Sequence, residues 1–224
     1  MKRLAFLLLS APLTSQAAIT SLYNFMDGKA QPFTAQSTTD LWTFHNGDQN
    51  AALLPILQSD AYGIPGPSYA TFGIPRDTAA PDIAGTAGTN EAPGIFVHTS
   101  SERAISAVYT FKSSMTVEAV RFTYELVLNG NLGNGIDFIL QTERGGVLTS
   151  YPLISMLSTT TQQAVIPLGA GNDTFEPEDK IIGVFSNRGN VLYDHGWINI
   201  ESVPEPGSAA LGLLSCLCLL RRRR

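Results

Sequence analysis

The stretch that decides the fold is Thr116-Val117-Glu118-Ala119-Val120-Arg121-Phe122-Thr123-Tyr124-Glu125-Leu126-Val127-Leu128. Val120, Phe122, Tyr124, Leu126 and Leu128 alternate with Arg121, Thr123, Glu125 and Val127. A period of two belongs to a strand with one face buried and the other mostly wet. A helix would need apolar residues three and four apart.

Reading outward, Ile95–Thr99 and Ala104–Lys112 are predicted strands on the N-terminal side. On the other side, Asn129-Gly130 and Asn134-Gly135 mark a turn before a strand at Ile136–Gln141. Arg144-Gly145-Gly146 turns into Val147–Tyr151, and Ala164–Leu168, Lys180–Phe185 and Val191–Ile200 complete the series. Nearer the start, Leu22–Met26 reads as a strand ending at Asp27-Gly28, and Leu41–His45 as one closed by Asn46-Gly47. Asp48–Gln58 reads as a helical turn interrupted by Pro55. Ala61–Pro93, with Gly-Ile-Pro twice, reads as a long loop. Roughly ten short strands with evenly spaced turns predict an all-β, antiparallel β-sandwich over 18–202.

Both ends read as addresses. Lys2 and Arg3 precede an apolar run, Leu4–Leu13, and Ser15-Gln16-Ala17 fits a signal-peptidase site, so 1–17 is an expected signal peptide. At the other end Val203-Pro204-Glu205-Pro206 leads into an uncharged run, 207–220, and then Arg221, Arg222, Arg223 and Arg224. As a helix that run would span ~21 Å at ~1.5 Å per residue, short of the ~30 Å hydrocarbon core. The arginines can snorkel to make up part of the difference and hold that end cytoplasmic. Pro204 and Pro206 favour an extended backbone that displays Glu205 outside.

The ends hide the charge of the middle. With the body taken as 18–205, six of the 14 Lys and Arg lie outside it and all 19 Asp and Glu lie inside it. The body therefore carries 8 basic against 19 acidic residues, a net charge of −11. That excludes nucleic acid and anionic lipid as partners. Both cysteines, Cys216 and Cys218, fall in the tail, so the body has no disulfide and no thiol chemistry.

The segment 203–224 resembles the PEP-CTERM sorting signal: a Pro-Glu-Pro motif, a short membrane helix and a terminal arginine cluster. The resemblance implies transient inner-membrane insertion and recognition by an exosortase, an integral-membrane cysteine transpeptidase. Cleavage near the motif would send the protein to the cell surface or extracellular polymer. From Asp40 onward the order of features resembles a jelly-roll, galactose-binding-like domain of exported bacterial proteins. The pieces are 41–44, 94–98, 134–138, 178–181 and 190–197. Such domains often bind glycans, but a fold does not carry a function with it.

Three constellations could carry chemistry. Asp194-His195 with His98 and His45 would suit a hydrolase, but no Gly-x-Ser-x-Gly elbow accompanies them. A strand-end cluster is the simpler account. Asn172, Asp173, Glu176, Glu178 and Asp179 crowd one loop, where oxygen ligands could hold calcium or form a solvated turn, with Asp137 as a further ligand. Trp42, Tyr193 and Trp197, with Tyr124, are the flat rings a glycan would stack on, unless the tryptophans are core. The expectation is an exported, non-enzymatic structural or interaction protein, processed by signal peptidase and exosortase. The alternative is a carbohydrate-binding module on extracellular polysaccharide, and a hydrolase is the least favoured reading.

Overall fold

The structure, a computed structural model, describes residues 19–22, 41–53, 56–59, 71–75, 95–99, 104–127, 134–169, 171, 173–189 and 195–203. The expected signal peptide, residues 204–224 and most of 61–93 lie outside them. Among the described residues no helix is long and apolar enough to cross a membrane.

Fourteen strands form among the described residues: β1 Trp42–His45, β2 Ile56–Ser59, β3 Thr71–Pro75, β4 Ile95–His98, β5 Ile105–Thr110, β6 Met115–Thr116, β7 Ala119–Val127, β8 Ile136–Arg144, β9 Val147–Ser150, β10 Ile154–Met156, β11 Gln162–Pro167, β12 Thr174–Phe175, β13 Lys180–Asn187 and β14 His195–Ser202. One six-stranded sheet runs β1-β5-β13-β8-β10, with β9 also on β8; the second runs β11-β7-β14-β4-β3-β2. β12 and β6 form a separate pair. The chain crosses between the two large sheets at β1–β2, β4–β5, β7–β8, β10–β11 and β13–β14, and by way of β6 and β12 from β5 to β7 and from β11 to β13, so neighbours within a sheet come from distant parts of the sequence.

The alternation of β7 is what the packing uses. Val120, Phe122 and Leu126 are buried, while Arg121 and Glu125 are only partly covered. Phe122 lies flat on Phe138 of β8, ring centroids 3.7 Å apart and planes within 10°. Phe72 of β3 meets Phe44 of β1 at 4.7 Å and Phe185 of β13 at 5.8 Å. These rings close the space between the two sheets, and each such pair adds ~0.5–1.5 kcal/mol beyond its area burial. At Gly183 of β13 the two sheets come close together. A Cβ there would stand 2.7 Å from Ile200 Cδ1 of β14.

Three expectations change. Asp48–Gln58 is not a helical turn. Ala51 N–H donates to Asp48 O at 3.0 Å and Asn50 N–H to the Asp48 carboxylate at 2.9 Å, making a turn, and Ile56–Ser59 is a strand. β2 pairs with β3 in parallel, inside sheets otherwise antiparallel. Thr71–Pro75 is a strand within the stretch read as loop. Residues 23–26 of the expected first strand lie outside the described residues. Ile19 and Leu22, just before them, are core residues.

The body closes on itself at its ends. Ile19 N–H donates to Ser202 Oγ at 2.9 Å, Ser21 Oγ to Asn199 Oδ1 at 2.8 Å, and Trp42 Nε1 to Thr20 O at 3.0 Å. Pairing of β14 with β4 stops at Ile198, and the strap 19–21 bonds the rest of β14. Val203 N–H then donates to Ala119 O at 3.0 Å.

Candidate functional site

The aromatic candidates divide. Trp42 is fully buried and packs edge-on against Tyr109 at 5.2 Å. Trp197 is 3% exposed and meets Phe96 at 5.7 Å. Both are buried, so neither offers a ring face to a sugar. Tyr124 is half-buried and stacks on Phe122 at 5.5 Å. Tyr193 lies outside the described residues.

The acidic loop spends its carboxylates on separate protein partners. Asp179 accepts Gly145 N–H at 2.9 Å on one oxygen and Glu176 N–H at 2.8 Å on the other. Glu178 pairs with Lys112 at 3.4 Å, and Glu176 accepts the Ser114 hydroxyl. The backbone carbonyl of Asp173 takes Val117 N–H. This arrangement supplies turn hydrogen bonds rather than a cation cage. Among the described residues no three His, Cys, Asp or Glu side chains converge on a metal position. Asn172 lies outside them, and Asp137 is on another strand with other partners.

The histidines also separate. Both ring nitrogens of His45 are engaged, Nδ1 with Ala51 O and Nε2 with Thr43 Oγ1, each at 2.9 Å. This ring braces the β1 turn. His98 and His195 are register partners on β4 and β14, and Asp194 lies outside the described residues. Of the sorting motif, only Val203 is described; Pro204, Glu205, Pro206 and Arg221, Arg222, Arg223 and Arg224 are not.

The structure does assemble a polar row that the sequence reading did not collect. On β8, Asp137, Ile139, Gln141 and Glu143 are partly exposed while Ile136, Phe138, Leu140 and Thr142 are buried. The outward set lines the outer face of the first sheet. Asp137 Oδ1 accepts Ser155 Oγ at 2.8 Å and pairs with Arg188 Nε at 3.4 Å. Gln141 Nε2 donates to Ser150 Oγ at 3.0 Å. Glu143 Oε2 takes Lys180 Nζ at 3.1 Å and Gln49 Nε2 at 3.5 Å. Partly exposed pairs of this kind contribute ~1 kcal/mol or less to stability. What they do is hold amide, hydroxyl, carboxylate and cationic groups in fixed positions on either side of Ile139 and Val184. The signal for this row was the period of two running on from Asp137.

No protein-family model matches this chain, and no curated protein does. Among solved structures, similar chains include the module TmCBM61 in complex with beta-1,4-galactotriose, 14% identical over 50% of this chain and 70% of that one, TM-score 0.32. The family 32 carbohydrate-binding module of C. perfringens NanJ in complex with galactose is 15% identical over 60% and 93%, TM-score 0.31. The family 11 carbohydrate-binding module from Clostridium thermocellum, in complex with a beta-1,3-1,4-mixed-linked tetrasaccharide, is 14% identical over 48% and 71%, TM-score 0.30. Likeness at these scores assigns no ligand to this chain.

Proposed function

We propose that this is an exported β-sandwich, released by signal peptidase at its start and by an exosortase near Val203–Pro206. At the cell surface or in extracellular polymer it acts as a non-catalytic structural or interaction component. The observation that carries the reading is the closure of the body. Ile19 is fastened to Ser202, Val203 is fastened to Ala119, and the motif begins where the last strand ends. Cuts at both expected sites would remove no described strand and no described core side chain. The acidic, thiol-free body agrees with life outside the membrane. Mass spectrometry of the exported form tests it: the expected chain starts at Ala18 and ends near Glu205. Replacing Pro204, Glu205 and Pro206 by alanine should leave uncut protein in the inner membrane. A normal-sized surface form from that variant would overturn the sorting reading.

A second reading is carbohydrate binding on the outer face of the first sheet. The row of Asp137, Gln141, Glu143, Lys180 and Arg188 favours it, because sugar hydroxyls need fixed donors and acceptors of these kinds. Glycan-array binding lost in both Asp137→Ala and Lys180→Ala supports it. Binding untouched by either variant removes it.

A further inference from the structure

One continuous run of the chain along the edges of the sandwich carries no charge. From Gly145 to Asn172 the sequence has no Asp, Glu, Lys, Arg or His. This stretch supplies β9 and β10, which border β8 at the edge of the first sheet, and β11, which borders β7 at the edge of the second. β7 and β8 face each other through Phe122 and Phe138, so both edges lie on the same side of the body. The two edges are joined by the connection through Ser158, whose carbonyl accepts Leu126 N–H at 2.8 Å. All the exposed large hydrophobic side chains among the described residues lie here: Val147, Leu148, Leu153, Leu157 and Val165. Leu153 and Leu157, 52% and 54% exposed, bracket β10. Two carboxylates beside it accept hydrogen bonds from the border's own hydroxyls, Asp137 from Ser155 and Glu125 from Thr161.

Native proteins guard such edges with lysine, inward charges, bulges or covering segments, because an open edge presents a row of unpaired backbone groups. Here the border strands themselves supply no charge; the charged side chains beside them, Arg121 opposite Val165 and Glu143 and Arg144 opposite Leu148 and Val147, belong to β7 and β8. We propose that this uncharged border, centred on Leu153–Leu157 and Val165, is a self-association surface that docks a second copy of the chain.

Charge selects the occupant. Elsewhere the copies would oppose like charge, with a net −11 on each body once both ends are removed and −5 on each chain if they are kept. The border strands, which carry no charge of their own, are where two copies can meet with least of that cost, and a two-fold axis would set the same patch against itself. A second strand would also pair the outer edge of β10, which no other described strand covers, and a sugar ring cannot do that. The border offers a glycan little to stack on. Its one aromatic residue, Tyr151, is half-buried with its hydroxyl donating to Leu168 O at 3.3 Å.

Sedimentation equilibrium of the exported form, its ends defined by mass, tests the idea. The expected result is concentration-dependent association that strengthens with added salt, as screening weakens repulsion between acidic bodies. Leu153→Lys and Val165→Lys should each weaken association by ~10-fold or more and leave the melting temperature near that of the native chain. Ser113→Lys, a lysine on an exposed turn away from the border, should leave association unchanged. On association, hydrogen exchange should slow at β10 amides. A form that stays monomeric up to ~100 μM, well above the micromolar range of specific pairs, overturns the proposal. So does association that neither border lysine weakens. A retained tail would count against the sorting reading alone, because the lysine variants still report on the border.

Discussion

Replacing Gly183 by alanine should loosen the sandwich where β13 meets β14. The new Cβ would lie 2.7 Å from Ile200 Cδ1, 3.0 Å from Phe138 Cε2 and 3.5 Å from Phe185 Cε2. Carbon atoms rest at ~3.5–4.0 Å, so two of these neighbours must retreat. Ile200 can turn its terminal methyl aside. Phe138 cannot move freely, because its other face is held against Phe122 at 3.7 Å. Overpacking of this kind costs ~1–3 kcal/mol. For a body of this length, ~2–4 °C per kcal/mol translates that into a melting temperature lower by ~2–12 °C. Ile200→Val removes the atom closest to the new methyl. In the native background it should cost ~0.5–1.5 kcal/mol. In the Gly183→Ala background that cost should shrink or change sign, a coupling of ~0.5–3 kcal/mol between contacting sites. Thermal and urea unfolding of the four proteins of this cycle measure it. A Gly183→Ala chain melting with the native one, or strictly additive effects, would refute the account of how the sheets meet.

Glu178 holds φ at 72°, a conformation glycine adopts without strain, and its ion pair with Lys112 is largely exposed. Glu178→Gly should therefore raise stability by ~1 kcal/mol, read as a higher urea midpoint with unchanged slope. Burial holds the Tyr109 hydroxyl above the usual tyrosine range, offset in part by a backbone hydrogen bond at Thr20. The neutral form is favoured in the fold, so its contribution is full below pH ~10 and fades as pH rises through the folded-state value. Melting temperature should fall over that alkaline window, and Tyr109→Phe should flatten the fall; an equally steep fall in the variant would clear Tyr109 of any part. Calcium and chelator should each leave the melting temperature within ~1 °C, since a ligand that binds the fold stabilises it by mass action. Asp179→Ala should cost ~1 kcal/mol by stranding Gly145 and Glu176 N–H groups; a calcium-dependent rise in melting temperature would contradict the turn reading.

The sandwich was legible where one strand carries its own contrast between wet and dry faces. β7 and β8 show this, with Arg121 set between buried Val120 and Phe122, and Asp137 between buried Ile136 and Phe138. β3 was not legible, because Gly73 and Pro75 carry the letters of a loop. Its place beside β4 and β2 is set by backbone pairing, which leaves no periodic trace. The tryptophans show another limit. Trp197 shares a face with Glu125 and Glu201, opposite Ile198 and Ile200, so its own strand predicts exposure. The fold nevertheless leaves it 3% exposed, and cover of that kind comes from other parts of the chain. The acidic loop was visible as a crowd of carboxylates. Whether they gather round an ion or disperse onto Gly145, Lys112 and Ser114 depends on partners far away in sequence. The polar row on β8 needed only the period continued past Gln141.

The contact between Ile19 and Ser202 makes the body nearly a ring. Where a ring begins and ends is a matter of how it is made, not of how it holds together. A short linker could join Val203 to Ile19, and the chain could be opened instead at Gly145-Gly146, both at positive φ between β8 and β9. Every strand pairing would survive but the one spanning that turn. The sheets themselves require no ends at that place; free tails there are what the proposed export and sorting steps would use.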